Sequence, residues 1–230
     1  MIPLYGLILS GILLLCLWGD RAVTVLSESA PMENRTCVIL DPGHGGVDGG
    51  ASSCTGVLES GLNLEIALRL NDLFHLLGWE TKMIRIDDRS IHTSGDTIAA
   101  KKISDLKERV RIINETENAF LISIHQNHYP DGKYYGPQVF YPSTEGSQEA
   151  AISLQSALTQ ALVPESNRKS KKASGVYLME HINCTGVLLE CGFLSNPEEE
   201  AKLRSEDYQK KLCCVIASSV SNFLDRQDMD

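Results

Sequence analysis

The sequence predicts a single α/β domain whose central sheet is twisted, mainly parallel and flanked by helices. The first observation behind this prediction is that, from about Glu33 onward, short apolar runs alternate with amphipathic stretches. The second is composition, because 230 residues with 43% hydrophobic and 22% charged side chains suit one globular domain with a sizeable core. The third is that nothing in the chain suggests disorder, fibres or internal repeats.

The elements of this domain follow from the hydrophobic pattern. Strands are predicted at residues 37–41, 80–85, 119–124, 138–141 and 186–190. Helices are predicted where apolar residues recur at helical spacing. The four sets are Leu62, Ile66, Leu70, Leu73 and Leu77; Ile103, Leu106, Val110 and Ile113; Ala151, Leu154 and Leu158; and Leu212, Val215, Ser219 and Phe223, with Ser205 as the cap of the last helix. The polar, basic stretch 164–173 is predicted to be an exposed loop.

The N-terminus differs from the rest of the chain. Residues 3–18 are almost wholly apolar and carry no charge, and the run ends at Gly19-Asp20-Arg21. This length is slightly below the ~20 residues of a typical transmembrane helix. We therefore expect residues 1–22 to be a signal peptide or membrane anchor, residues 23–36 a linker, and residues 37–226 the folded domain. A buried core helix is the less favoured alternative, because core helices are seldom apolar all round. The expectation is an exported protein that contacts the membrane through this segment if it is not cleaved.

Charge and cysteine content exclude several classes of protein. The formal net charge of -9 argues against nucleic acid as a partner, because nucleic acid binding depends mainly on lysine and arginine. Six of the seven cysteines lie outside the apolar segment, and none of them shows C-x-x-C spacing. A structural zinc knot and a disulfide framework are therefore both disfavoured, and plain buried thiols are expected at most sites.

Four residues are candidates for chemistry because their positions in the predicted fold converge. His44 follows the first predicted strand through a glycine-rich turn, His125 follows the third, and Glu190 ends the fifth. Ligands of open α/β sheets bind at the carboxyl ends of strands, so these three residues are expected at one edge. Glu59 lies one turn before Leu62, on the inward face at the start of a helix, which brings it towards the same edge.

Two imidazoles and one carboxylate are a common catalytic zinc set, and a further glutamate can accept a proton from the attacking water. Each residue also has a simpler interpretation. A histidine after a strand is often a loop or core residue, and Glu59 alone suits a helix N-terminus. Glu190 is harder to explain in this way, because a carboxylate ending an apolar strand is expected to be buried, where an uncompensated charge is costly. From spacing alone, both interpretations remain open.

Three segments of the chain resemble the signature segments of the zinc N-acetylmuramoyl-L-alanine amidases. They are VILDPGHGG at 38–46, SIHQN at 123–127 and LECGFLSNP at 189–197, in the same order, and the likeness runs from about residue 37 to 223. The resemblance implies an α/β fold, zinc (Zn2+) bound by His44, Glu59 and His125, and Glu190 as the catalytic base. It also implies a peptidoglycan substrate, cleaved at the amide between muramic acid and the L-alanine of the stem peptide. A departure is Thr185, which stands where many relatives have proline.

Within that family, the chain looks similar to the germination-specific amidases of spore formers. The segments that carry this likeness are TSGDT at 93–97, KISDL at 102–106, SIHQNH at 123–128 and GPQVFY at 136–141. The resemblance implies action on spore-cortex peptidoglycan, towards muramic-δ-lactam, between the spore membranes. The chain has no repeats of a wall-binding module, which is consistent with placement by an anchor or by an envelope partner protein. Such a partner is also expected to be able to raise the zinc affinity of the domain.

Several alternatives remain beside this interpretation. One is a general wall autolysin of vegetative growth, and another is a non-catalytic peptidoglycan-binding module, although such a module would usually lack Glu190. A zinc carboxypeptidase is disfavoured, because it would place a glutamate three residues after His44, and position 47 is valine. His128, three residues after His125, is a minor rival as a metal ligand.

Overall fold

The computed structural model describes residues 36–227. The signal peptide or anchor expected at residues 1–22, and nearly all of the linker expected at 23–36, lie outside the described residues. Within the described part, no helix is both long enough and apolar enough to cross a membrane.

A six-stranded sheet forms the centre of a single α/β domain. Its strands are β1 (Cys37–Pro42), β2 (Glu80–Met83), β3 (Ala119–Asn127), β4 (Gln138–Tyr141), β5 (Lys171–Lys172) and β6 (Thr185–Phe193). They lie in the order β2-β1-β3-β6-β4-β5. Of the five strand pairs, β4–β6 is antiparallel and the other four are parallel. The predicted mainly parallel sheet is therefore confirmed, and the carboxyl ends of β1, β3 and β6 lie side by side.

Within residues 36–227, six helices accompany the sheet: α1 (Glu59–Leu76), α2 (Ile98–Asn114), α3 (Ser147–Leu162), α4 (Tyr177–His181), α5 (Pro197–Leu203) and α6 (Glu206–Gln227). The four predicted helices are confirmed as α1, α2, α3 and α6. The sequence did not predict α4 and α5. Both are shorter than two full turns, so they show too little periodicity to be recognised. The start of α5 did carry a readable signal, because Asn196 caps the backbone N–H groups of Glu198 and Glu199 ahead of Pro197.

Alternate side chains of the inner strands belong to two hydrophobic clusters on opposite faces of the sheet. Val38 and Leu40 of β1 join a cluster formed with α1, α3 and α6, whereas Ile39 joins a second cluster with α2 and α4. This is the period of two expected for a strand buried on both faces. Each such side chain contributes about 1.5–3 kcal/mol when it is fully buried. The sheet is thereby held between two helical layers.

The strands that carry two candidate residues are longer than predicted. His125 lies within β3 and Glu190 lies within β6, rather than after or at the end of these strands. The two residues are paired in the β3–β6 ladder. The apolar run ends earlier than the strand because ladder hydrogen bonds join backbone groups and do not depend on the polarity of the side chain.

Helix α2 buries mainly polar side chains. Of the apolar residues that predicted this helix, Ile113 is buried, whereas 57% and 37% of the surfaces of Ile103 and Leu106 are exposed. The buried residues of α2 are Ser104, Asp105, Arg109 and Ile113. Polar side chains occupy this face because they form hydrogen bonds and ion pairs with the loops around the candidate site. A hydrophobic pattern does not reveal such contacts.

The basic stretch 164–173 is largely exposed, as predicted, but it is not wholly a loop. Its residues Lys171–Lys172 form β5, which pairs in parallel with β4. A strand of two charged residues has no apolar alternation to predict it.

The six cysteines of the described residues are free thiols. Cys37, Cys191 and Cys213 are buried, as expected, whereas Cys54 and Cys214 are exposed. The expectation of free thiols is confirmed, and the expectation of burial holds for half of them.

Candidate active site

Three of the predicted residues, His44, Glu59 and His125, meet at the carboxyl edge of the sheet. Each offers one ligand atom, and these atoms all lie within 4.8 Å of one another. Glu59 joins the two rings, because its Oε2 lies 3.3 Å from His44 Nε2 and its Oε1 lies 2.9 Å from His125 Nδ1. The ring centroids are 5.0 Å apart and the rings meet edge to face. Residues from the turn after β1, from β3 and from the start of α1 thus converge on one point.

Glu59 is held in place as an ionised carboxylate. It is the first residue of α1 and is buried. Its Oε1 accepts hydrogen bonds from Gln126 N at 3.1 Å and Asn63 Nδ2 at 3.2 Å, and its Oε2 accepts one from Ala51 N at 2.9 Å. Burial alone would raise the pKa of this carboxyl. Hydrogen bonds with His125 and His44, together with the charges of these two rings, hold the pKa well below its usual range. The predicted placement of Glu59 on the inward face of the helix is confirmed.

Glycines in two positions allow the close approach of the site residues. A Cβ on Gly43 would lie 2.2 Å from the ring of His125, and a Cβ on Gly50 would lie 2.6 Å from Glu59 Oε2. Gly50 also has a φ of 68°, which other residues rarely adopt. The glycine-rich turn around His44 is therefore needed for space as well as for backbone conformation.

Arg85 ties the loop before His44 to the start of α1. This side chain is almost completely buried. Its Nε donates to Pro42 O at 2.9 Å, and its Nη2 donates to Gly43 O at 3.0 Å and to Ser60 O at 2.8 Å. Because Ser60 follows Glu59, one guanidinium sets the spacing between two segments that supply the metal-ligand candidates.

Arg109 holds the same loop from the side of α2. Its Nη2 donates to His44 O at 2.7 Å, and its guanidinium forms ion pairs with the buried Asp41 and with Asp105. His44 has a φ of 61°, an uncommon conformation for a non-glycine residue that costs free energy unless its surroundings hold it. The bond from Arg109 is one of the contacts that hold it.

Asp48 is a site residue that the sequence interpretation missed. Its Oδ2 lies 3.0 Å from His44 Nδ1, and its Oδ1 lies 2.7 Å from Lys102 Nζ. Burial lowers the pKa of His44, but Glu59 and Asp48 outweigh burial and raise it above its ordinary value. A carboxylate that accepts the second N–H of a ligand histidine fixes the ring and its tautomer. The sequence did contain a signal for this contact, because an acidic residue stands four positions after His44. We had considered only the glycines of that turn.

Glu190 lies beside the group. Part of the side chain is exposed, but Oε2 is buried and has no hydrogen-bond partner among the described residues. Burial, together with the charge of Glu59, raises the pKa of Glu190 to about 7 despite the nearby histidines. A buried carboxylate oxygen without a donor is costly in a purely structural role. The expectation that Glu190 is hard to explain structurally is therefore supported by its environment.

The group fits a zinc ion. Zinc bonds of about 2.1 Å in a tetrahedral site place donor atoms about 3.4 Å apart. Glu59 contacts the two rings through different oxygens, at 3.3 Å and 2.9 Å, so its carboxylate lies about as near to each ring as a shared zinc ion requires. His128, the rival ligand, is exposed and does not belong to the group found among residues 36–227.

Comparisons with known proteins show the family to which the chain belongs. Residues 38–222 match the family described as N-acetylmuramoyl-L-alanine amidase. The germination-specific N-acetylmuramoyl-L-alanine amidase of Bacillus subtilis (strain 168) is 36% identical over 197 residues, which cover 85% of this chain and 82% of that protein. The CwlD amidase of Clostridioides difficile, solved in complex with the GerS lipoprotein, has a TM-score of 0.79 at 35% identity, covering 84% of this chain and 99% of that chain. An N-acetylmuramoyl-L-alanine amidase from Clostridium difficile 630 has a TM-score of 0.73 at 31% identity, covering 84% and 98%. This chain therefore belongs to the N-acetylmuramoyl-L-alanine amidase family and is a cell-wall amidase.

Proposed function

We propose that the chain is a zinc-dependent amidase that hydrolyses the bond between muramic acid and the L-alanine of the stem peptide. The observation that carries this proposal is the position of the buried, unpartnered Oε2 of Glu190 beside the group of His44, Glu59 and His125. Two imidazoles and one carboxylate suit zinc and leave a fourth position open. When bound there, zinc would supply Lewis-acid polarisation and lower the pKa of a water molecule to near neutrality.

The residues of the chain have separate roles in this proposal. His44, Glu59 and His125 hold the ion, and Asp48 orients the ring of His44 through its Nδ1. Glu190 takes the proton of the attacking water and returns it to the departing amine of L-alanine. The position of Glu190 suits this exchange, because its buried Oε2 has no hydrogen-bond partner among the described residues and is free to accept a proton.

Analysis of released products tests the bond that is cleaved. Purified peptidoglycan is digested with the wild-type chain, with Glu190→Gln and with His128→Ala, an exposed histidine outside the group. We expect intact stem peptides beginning with L-alanine from the wild type and from His128→Ala, with intact glycan strands. Mass spectrometry identifies the peptides, and a reducing-sugar assay detects glycan cleavage. New reducing ends would overturn the proposal, because glycosidic cleavage needs paired carboxylates acting on the sugar.

We also propose that the enzyme acts on spore-cortex peptidoglycan. The support is its similarity to a germination-specific amidase and to CwlD. A deletion strain should form spores whose cortex lacks muramic-δ-lactam and which begin but do not complete germination. Vegetative growth and cell separation should stay normal. Chained vegetative cells with a normal cortex would point instead to a general wall autolysin, with the same chemistry in another setting.

Placement outside the cytoplasmic membrane completes the proposal. We assign residues 1–22 to a signal peptide or anchor, 23–36 to a linker and 37–226 to the catalytic domain, and the relatives that act on cell wall support an extracytoplasmic setting. An envelope partner is proposed because CwlD was solved with a lipoprotein. Zinc affinity and turnover of the purified chain, measured with and without its candidate partner, test this point. Tight zinc and full activity in the chain alone would remove the need for a partner.

A further inference from the structure

A groove of about 590 Å³ lies at the surface of the domain, lined by the first residues of β4 and β5 and by the segments that precede these strands. Four of its lining side chains are basic and one, Glu165, is acidic. The basic residues are Lys133, Arg168, Lys169 and Lys171. We call this the basic groove. Its charge is opposite to that of the chain, whose formal net charge is -9, so it attracts an anionic ligand that the rest of the surface repels.

The basic groove adjoins the candidate catalytic edge. Gln138, one of its lining residues, is the Cα partner of Glu190 in the antiparallel β4–β6 ladder. The guanidinium of Arg168 lies over the ring of Phe193, 5.0 Å from its centroid, and Phe193 is the last residue of β6. A ligand extending from Glu190 across β4 therefore enters the basic groove.

Arg168 is held in position by neutral partners. Its Nε donates to Tyr135 O at 3.1 Å, and its Nη1 donates to Gln138 Oε1 at 3.4 Å. With the ring of Phe193 below it, the planar group is oriented before any ligand arrives, which reduces the entropy lost on binding. None of these partners is a carboxylate, so the charge of the guanidinium is not neutralised by them.

The neighbouring lysines add to this charge. Lys169 and Lys171 are exposed, and neither takes part in an ion pair within residues 36–227. Lys133 differs, because its Nζ lies 2.7 Å from Asp131 Oδ2. Three cationic side chains of the basic groove therefore remain available to an anion.

We propose that the basic groove binds the stem peptide through its free carboxylates, with Arg168 as the oriented anchor and Lys169 and Lys171 as supporting charges. This inference rests on the proposed function. It extends that function, because a carboxylate-binding groove makes the enzyme selective for stem peptides with free rather than amidated carboxyl groups. Charge-assisted hydrogen bonds from a guanidinium to a carboxylate are among the stronger polar contacts. The peptide runs away from the cleaved amide along β4.

Two matched soluble substrates test this assignment. Both are muramoyl peptides of the same sequence, one with free carboxyl groups and one with every carboxyl group amidated. The variants are Arg168→Lys and the double change Lys169→Gln with Lys171→Gln. The control is Lys210→Gln with Lys211→Gln, which removes the same two charges from exposed positions of α6. Steady-state kcat and KM are measured for each zinc-loaded full chain.

We expect the double variant to raise KM for the free-carboxylate substrate about tenfold with little change in kcat, and Arg168→Lys to act in the same direction. The amidated substrate should be unaffected by any variant, and the control should match the wild type on both substrates. Equal losses on both substrates, or no loss on either, would overturn the assignment.

A binding measurement separates this proposal from the proposed function. The equilibrium affinity of the Glu190→Gln chain for the two substrates, with and without the groove changes, needs no turnover. Selective loss of affinity for the free-carboxylate peptide, without any cleavage by the wild type, would support the groove and contradict the amidase mechanism. If the wild type cleaves its substrate but binds the free-carboxylate and amidated peptides equally well, the amidase mechanism stands and the proposed role of the basic groove is disproved.

Discussion

Glu190 lies directly opposite His125 in the parallel ladder between β3 and β6. One residue of the pair belongs to the metal-ligand group, and the other presents a buried oxygen without a partner. Backbone pairing sets the spacing of the two side chains, so it does not depend on a flexible loop. A ligand and a base on adjacent strands are held at a constant separation by the sheet itself.

The first prediction is that Glu190→Gln keeps the fold and the zinc but loses nearly all turnover. Glutamine has almost the same shape and cannot accept the proton, so a loss of about 10²–10⁴ in kcat is expected. Metal content, thermal unfolding and turnover are measured on the same preparation. If Glu190 were only structural, the variant would instead lose folded protein, and turnover close to the wild type would refute its role as the base.

The second prediction concerns the metal. His44→Ala and His125→Ala should each lower zinc affinity sharply, because each removes one of three ligands. His128→Ala is the matched control, since this histidine is exposed and outside the group. Stoichiometric zinc retained by both ligand variants after dialysis against a competing chelator would disprove the assignment. Activity of the wild type should disappear on chelation and return when zinc is added.

The third prediction concerns Asp48. Asp48→Asn should reduce zinc affinity about 10–100-fold, because a neutral amide holds the Nδ1 proton of His44 less strongly and leaves the ring less well oriented. The folded state should remain, since Asp48 is a loop residue that is only partly buried. Competition with a zinc-sensitive dye measures the affinity. An unchanged zinc affinity would show that the contact with His44 has no part in the site.

Much of this architecture could be predicted from the sequence. The strands β1, β3 and β6 are continuous apolar runs, which is how strands buried on both faces are recognised. The convergence of His44, His125 and Glu190 followed from the rule that carboxyl ends of parallel strands share one edge. Glu59 was placed correctly because helical spacing relates it to Leu62 and Ile66.

The polar framework behind the site was not predictable in this way. Arg85 and Arg109 are buried by bonds to carbonyl groups and carboxylates that are distant in the sequence, and hydrophobic periodicity contains no information about such partners. The same reason explains why α2 buries Arg109, whereas Leu106, one of the apolar residues that predicted this helix, is exposed. Residues that position a site are thus harder to find than those that form it.

The last prediction tests this framework through the pH dependence of stability. Burial alone would raise the pKa of Asp41, but the Arg109 guanidinium and the Ser123 hydroxyl hold it below its usual value. A carboxyl with a lowered folded-state pKa stabilises the protein above the unfolded-state pKa, near 3.9, and this contribution is lost as the pH falls through the folded-state pKa. Asp41→Asn leaves Arg109 with Asp105 as its remaining ion-pair partner, so we expect a loss of about 3 kcal/mol at pH 7.

The difference between the wild type and Asp41→Asn should shrink as the pH is lowered from 4 towards 2, because only the wild type has a carboxyl at position 41 that gains a proton on unfolding. Urea unfolding at a series of pH values measures both free energies, with Asp72→Asn as the control, since Asp72 is an exposed aspartate of α1. The control should follow the wild type throughout. A difference that stays constant between pH 7 and pH 2 would show that the charge of Asp41 does not stabilise the fold, and that the loop carrying His44 is held chiefly by other contacts such as those of Arg85.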